Sequence, residues 1–448
     1  MFARRWWRNL PPHQPHRPLR QRGVAFFSGR ARALRCFGKE EEPEGSRPAA
    51  KTLRHTGEKC FTALPLRMQF VITSMPVGGA ETLLVNLLRR MDRNVVCPEV
   101  ICLKEPGPLG EAIADEFPVH SHLIGGKYDV CVLSRLVRLM RRRQSDVVIT
   151  VGAGDKMFWG RLAAFLAGVP VIASALHSTG WPDGVGRLNR TLTPLTDAFI
   201  AVAQSHGEFL HRFEGFPQDK VHVIRNGVDC ERFKPNEVHR REVREELKLD
   251  PDAQLVGIVA ALRSEKNHSL LVRAAARLRD RHPQLHWLIV GDGPERDGIE
   301  RLAEELQVAD RIHLLGTRHD TPRLLSALDV FTLCSLNEAS PVSILEALAC
   351  EVPVVASDVG SVGETVIDDR TGRLFASEDL DAMSQAIEQL LGDPASRRRM
   401  GQAGRDLVLR TGSLESMVAG YQNLATSLYD QACPQQSAVA KQTPVSIR

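Results

Sequence analysis

The stretch Ser335-Leu-Asn-Glu338-Ala-Ser340-Pro341-Val342-Ser343-Ile-Leu-Glu346 carries the strongest chemical signal in this 448-residue sequence. Ser340 before Pro341 reads as a helix N-cap followed by a proline at the first helical position. The N–H groups of Val342 and Ser343 would then point out of the helix N-terminus, a ready place for a phosphate. Glu338 falls in the loop ahead of the cap, and Glu346 lies about a turn and a half inside the helix. One carboxylate could reach a group beyond the phosphate while the other reaches a pair of hydroxyls behind it. The same residues also read as a capped helix with two solvated glutamates. A second cluster, Arg263-Ser-Glu-Lys266, follows a strand-like run, where doubly wound sheets place their ligands. Arg263 and Lys266 could clamp a diphosphate and stabilise its charge as it leaves. The plain alternative is a solvated loop with an Arg–Glu pair. The turns Val290-Gly-Asp-Gly-Pro294 and Gly78-Gly79 with Glu81 also sit at strand ends, but backbone geometry alone can demand such glycines.

Other templates are missing: there is no G-x-x-x-x-G-K-[ST], no G-x-G-x-x-G after a strand, no H-E-x-x-H and no G-x-S-x-G. Two Asp-x-Asp matches occur. Asp250-Pro-Asp252 lies in a charged linker, and Asp379-Leu-Asp381 opens a helix, where acids suit the dipole. Neither is expected to hold a metal.

The elements that must position these residues alternate. Gln69–Thr73 reads as a buried strand, followed by the Gly78-Gly79 turn and an apolar helix, Ala80–Arg90. Strand-like runs recur at Val100–Leu103, Asp146–Val151, Val169–Ala175, Phe199–Val202 and Val221–Arg225, with helical segments between them. After a charged, proline-punctuated linker the alternation restarts at Leu255–Ala260 and continues through Trp287–Val290, Ile312–Leu315, Val330–Leu333 and Val352–Ala356. This pattern predicts an α/β protein with two Rossmann-like, doubly wound domains facing across a cleft. The expected division is a basic extension at 1–67, a first domain at 68–230, a second at 231–411, a terminal helix at 412–430 packing back on the first domain, and a polar tail at 431–448.

Hydrophobic residues make up 43% and charged residues 25%, the range of ordinary globular proteins. The longest uncharged apolar run, Leu162–Leu176, is 15 residues and is broken by Gly168 and Pro170, so no transmembrane helix is expected. The net charge of +4 is uneven: residues 1–67 hold 15 Lys+Arg against 5 Asp+Glu, while the rest is mildly acidic. A nucleic-acid-binding body is disfavoured. The basic start lacks an apolar signal core and reads as a dispensable, disordered extension, or as sequence upstream of a true first residue at Met68. Nine scattered cysteines without a CxxC pair suggest buried thiols and a cytoplasmic location. The basic helix at 134–143 reads either as an ordinary surface helix with its apolar face on the sheet or as a peripheral contact for anionic lipid on the inner membrane face.

Taken in order, Gly-Gly-Ala-Glu (78–81), Asn-Gly-Val-Asp (226–229), Arg-Ser-Glu-Lys (263–266), Val-Gly-Asp-Gly-Pro (290–294), the Glu338/Glu346 pair and Val-Pro-Val-Val-Ala-Ser-Asp-Val-Gly (352–360) resemble the family 4 glycosyltransferases. That resemblance runs from about Met68 to about Tyr429. It implies the GT-B fold, a nucleotide-sugar donor, retention of configuration, no obligate metal or other cofactor, and a glycan or lipid-linked acceptor in cell-surface polysaccharide or glycolipid synthesis. By the same resemblance Glu346 binds the nucleotide ribose, and Glu338 lies beside the donor sugar. Lys266 and Arg263 hold the diphosphate with the N–H groups of Val342 and Ser343. Gly78 and Gly79 let the first domain close on the donor, and His177 matches a histidine near the reacting sugar. One departure stands out: the family arginine two residues before Arg263 is Ala261 here, so Arg263 is expected to substitute for it. Two other functions fit the fold: a nucleotide-sugar epimerase, and a non-catalytic nucleotide-binding scaffold.

Overall fold

The computed structural model describes residues 65–434, apart from 127–128, 153, 178–188 and 251. The expected basic extension up to residue 64 and most of the polar tail lie outside the described residues.

The first unit is a seven-stranded, all-parallel sheet ordered β3-β2-β1-β4-β5-β6-β7. Its strands are β1 (Leu66–Ile72), β2 (Val96–Cys102), β3 (Val119–His120), β4 (Val147–Val151), β5 (Val171–Ala175), β6 (Ala198–Ala201) and β7 (Val221–Val223). β4 and β5 are buried at every position, as helices on both faces require. Those helices are α1 (Gly79–Arg90), α2 (Gly107–Ala112), α3 (Val132–Arg143), α4 (Asp155–Ala167) and α5 (Gln204–Arg212). α1 sends Leu83, Leu84, Leu87 and Leu88 into the core with Met68 and Phe70, each such side chain stabilising the fold by about 1.5–3 kcal/mol.

The second unit repeats the winding in six parallel strands ordered β10-β9-β8-β11-β12-β13. They are β8 (Gln254–Val259), β9 (Leu285–Val290), β10 (Ile312–Leu314), β11 (Val330–Leu333), β12 (Val354–Ser357) and β13 (Gly372–Phe375). Its helices are α6 (Glu237–Glu246), α7 (His268–Leu278), α8 (Arg296–Glu305), α9 (Thr321–Ser326), α10 (Val342–Ala349), α11 (Leu380–Gly392) and α12 (Pro394–Thr411). The chain crosses between the units twice at one place. Val228 N–H donates to Gly412 O at 2.9 Å, and Leu414 N–H donates to Val228 O at 2.9 Å. A Cβ on Gly227 would lie 2.4 Å from Ser413 O, so the crossing admits only glycine there. The last helix, α13 (Leu414–Ala432), then returns to the first unit, packing on α1 and burying Met417, Val418 and Tyr421 beside Phe70.

Two expectations change. β1 begins at Leu66, two residues before the expected boundary at Met68. Arg67 N–H donates to the Asp146 carboxylate at 2.9 Å and its guanidinium to Gln144 at 2.7 Å, so a chain starting at Met68 loses part of its first strand. α10 begins at Val342 with Pro341 as its cap (ψ 114°) and no side-chain cap bond. Ser340 is therefore not the N-cap; its carbonyl instead accepts a hydrogen bond from the Asn226 amide at 3.0 Å.

Candidate active site

Strand order reverses between β1 and β4 in one sheet and between β8 and β11 in the other, and ligands of such sheets bind beyond the strand ends at those switch points. The two sequence clusters fall there. Arg263–Lys266 follows β8, and Ser335–Pro341 follows β11. The structure joins them, although 72 residues separate their key side chains: Lys266 Nζ lies 2.5 Å from Glu338 Oε1, and Ser335 Oγ donates to the same oxygen at 2.7 Å. Leu336 N–H donates to Glu265 O at 2.8 Å, tying the loops along their backbones. Glu338 is buried at 8% exposure, and is not the solvated surface group of the simpler reading. Its backbone is closely covered: Gly360 sits at φ +57, and a Cβ there would meet Glu338 O at 1.7 Å. Lys266 keeps further ammonium N–H groups for another anion.

At the α10 N-terminus the first intrahelical bond runs from Ile344 N–H to Pro341 O, so the N–H groups of Val342 and Ser343 precede the ladder. Glu346 follows one turn later on the same face as Val342 and Ser343. It is half-buried; burial pushes its carboxyl up to about 7, against the opposing pull of the Arg232 charge. A nearby hydroxyl pair would supply the donors that Glu346 needs when ionised. Arg263 reaches outward, 64% exposed, with its closest carboxylate at Glu265, 3.9 Å away. Its guanidinium therefore lies outside the Lys266–Glu338 cluster, and it must swing inward to meet a diphosphate.

On the first unit, Gly78 caps α1 in extended backbone, where a Cβ would meet only the flexible Glu81 carboxylate; beside Gly79 there is open space. His177 follows β5, and burial, with the charges of His206 and Lys156, holds its pKa down at about 4, so it is neutral at pH 7. His206 and Phe209 of α5 face Glu338 and Ser361 across a cavity of about 200 Å³. The sequence reading missed this α5 wall because nothing local in Gln204–Arg212 distinguishes it from any helix after a strand. It also missed Glu364, whose partners lie on α5 and after β7.

Two doubly wound, all-parallel sheets with these loops at their switch points define the GT-B architecture. The comparisons with known proteins agree. Residues 239–407 match the family described as Glycosyl transferases group 1, and residues 77–232 match Glycosyltransferase Family 4. A Mycolicibacterium smegmatis GDP-mannose-dependent alpha-(1-6)-phosphatidylinositol monomannoside mannosyltransferase is 31% identical over 293 residues, 62% of this chain and 75% of its own. An Escherichia coli UDP-Gal:alpha-D-GlcNAc-diphosphoundecaprenol alpha-1,3-galactosyltransferase is 27% identical over 321 residues, 68% of this chain and 81% of its own. The crystal structure of Anabaena HepE in complex with UDP superposes with a TM-score of 0.73 at 20% identity, covering 81% of this chain and all of that one. The chain belongs to the family 4 glycosyltransferases. It is an enzyme of the transferase class, and the epimerase alternative finds no support among these relatives.

Proposed function

We propose that this glycosyltransferase takes its sugar from a nucleotide-sugar donor bound on the second unit. The observation that carries this reading is the joined cluster at the β8/β11 switch point: Lys266 fixed by Glu338, beside the open N-terminus of α10, with Glu346 one turn behind. In the reaction the bond between the anomeric carbon and the diphosphate oxygen breaks, and the electron pair leaves with the diphosphate. Lys266, the N–H groups of Val342 and Ser343, and Arg263 swung from Glu265 stabilise that charge. These groups supply positive charge without an obligate metal. Glu346 accepts the ribose hydroxyls. Glu338 sets the Lys266 ammonium and faces the sugar in the cavity below α5, while neutral His177 and the open backbone at Gly78–Gly79 border the sugar from the first unit. The acceptor hydroxyl oxygen attacks the anomeric carbon on the face the diphosphate leaves and gives its proton to the departing diphosphate oxygen, so configuration is retained.

The acceptor is a glycan or a lipid-linked glycan of cell-surface polysaccharide or glycolipid synthesis, in line with the diphosphoundecaprenol and phosphatidylinositol named for two relatives. The enzyme works in the cytoplasm with peripheral contact to an anionic membrane through α3. There Arg135, Arg141 and Arg143 turn to Asp129, Leu166 O and Glu99. Arg138 and Arg142 are exposed with no ion pair among the described residues, and Phe165 and Leu166 lie exposed nearby. No helix among the described residues is long and apolar enough to cross a membrane. A thermal-shift panel of nucleoside diphosphates and nucleotide sugars, repeated with excess chelator, tests the reading. Stabilisation by one nucleotide family, unchanged by chelator, supports it; stabilisation only with added Mn²⁺ or Mg²⁺ contradicts it.

A further inference from the structure

Helix α5 starts without a cap of its own, because its N-cap residue is Ala203, with no side-chain oxygen to offer. The cap comes from the other unit. Glu364 Oε1 accepts the Ser205 N–H and the Ser205 hydroxyl, each at 2.7 Å. Its Oε2 accepts the Gln204 N–H at 2.9 Å and Arg225 Nη2 at 3.3 Å. All four donors belong to the first unit, while the acceptor belongs to the second.

On its own side Glu364 ends the short 3₁₀ turn Val362–Glu364 and donates its N–H to Ser361 O at 3.0 Å. Ser361 in turn donates its N–H to Glu338 O at 3.3 Å and its hydroxyl to Ala339 O. Only Val362 and Gly363 therefore separate the carboxylate that grips α5 from the backbone contact that supports Glu338. Burial raises the Glu364 pKa, but the bonds from Ser205, Gln204 and Arg225 outweigh it and leave it below the ordinary carboxylate range; the group is ionised at neutral pH.

We infer that Glu364 is a positioning residue that couples contact between the two units to the loop holding Glu338. When the units meet as they do here, the carboxylate fills the α5 N-terminus, and the Gly360–Ser361 loop is pressed onto the Glu338 backbone. When they part, α5 loses its cap and the loop loses its anchor. The consequence for catalysis rests on the transferase reading above, since it is that reading which makes the Glu338 loop matter.

Hydrogen exchange read by mass spectrometry on the full chain tests the coupling without any substrate. Glu364→Ala should speed exchange by about tenfold or more in peptides covering 203–206, and also in those covering 336–340 and 358–361, as the loss of charge-assisted hydrogen bonds implies. Gln204→Pro is the second variant. Ala203 is extended (φ −156, ψ 164), as a residue before proline prefers, and proline is tolerated at the first helical position. This change keeps α5 and deletes one N–H. Though it lies in the first unit, it should loosen 336–340 and 358–361 in the second. If neither variant loosens 336–340 and 358–361, Glu364 only caps α5 and the inference fails. If Glu364→Ala leaves 203–206 unchanged, the contact itself is absent and the inference fails as well. A failure of the transferase reading would appear instead as no response to any nucleotide, with the exchange pattern untouched.

Discussion

The strand-end loops of the two sheets are built differently. In the second unit the loops after β8, β11 and β12 are stitched together by Lys266–Glu338, Ser335–Glu338, Leu336–Glu265 and the contact of Gly360 with Glu338. In the first unit Gly79 borders open space. A site that must stabilise a leaving diphosphate works best when its donors are fixed before reaction. A site that must admit a bulky acceptor works best when it is open. Under the proposed function, donor binding falls to the stitched side and acceptor entry to the open one.

The hardest blow to the stitched side is Lys266→Ala. It removes the cation proposed to meet the diphosphate and leaves the buried Glu338 carboxylate short of a partner. Transfer should fall about 100- to 1,000-fold, in the range for a lost oxyanion donor, as measured by kcat/KM under steady-state conditions.

Glu346 comes next. Glu346→Ala should weaken nucleoside diphosphate binding by roughly 1.5–3 kcal/mol. Because its folded pKa is raised to about 7, the carboxylate proposed to accept the ribose forms only as pH rises through that value, so affinity should increase across it. Stability has the opposite slope. The folded protein binds the proton more tightly than the unfolded chain, so stability falls as pH climbs from the ordinary carboxylate range to about 7. Glu346→Gln should flatten both trends, read by calorimetry and by chemical denaturation across pH.

Gly360→Ala probes the stitching by steric means. A side chain at φ +57 whose Cβ meets Glu338 O must push the loop away, at about 1–3 kcal/mol of stability. Denaturant midpoints give the cost, and a kcat lower than this loss of folded protein explains would show that Glu338 moved. Arg263→Ala should have the smallest effect, about a tenfold loss in diphosphate affinity or less, because its side chain is exposed and must move to reach the site.

Much of this was legible before the structure. The alternation of strands and helices pointed to both doubly wound units, since buried parallel strands write themselves as short apolar runs such as Val147–Val151 and Val330–Leu333. β3 and β13 escaped because a two-residue edge strand and Gly-Arg-Leu-Phe carry too little apolar pattern to be seen. The chemically promising residues were visible as two separate clusters; the Lys266–Glu338 contact was not, because pairing across 72 residues is decided by which strands adjoin. The Ser340 cap failed for a tertiary reason: Asn226 takes the Ser340 carbonyl, and Pro341 stays extended. Glu364 was invisible in principle, because its partners sit on the other unit and a lone glutamate after Gly363 has no local signature.

The most direct measurement is calorimetric titration of UDP, GDP and ADP into the wild-type chain and into Lys266→Ala, Glu346→Ala and His177→Ala. One diphosphate should bind the wild type, weaken about tenfold or more with either change on the second unit, and bind His177→Ala with unaltered affinity. Loss of binding in His177→Ala, with Lys266→Ala and Glu346→Ala unaffected, would place the donor on the first unit and contradict the assignment.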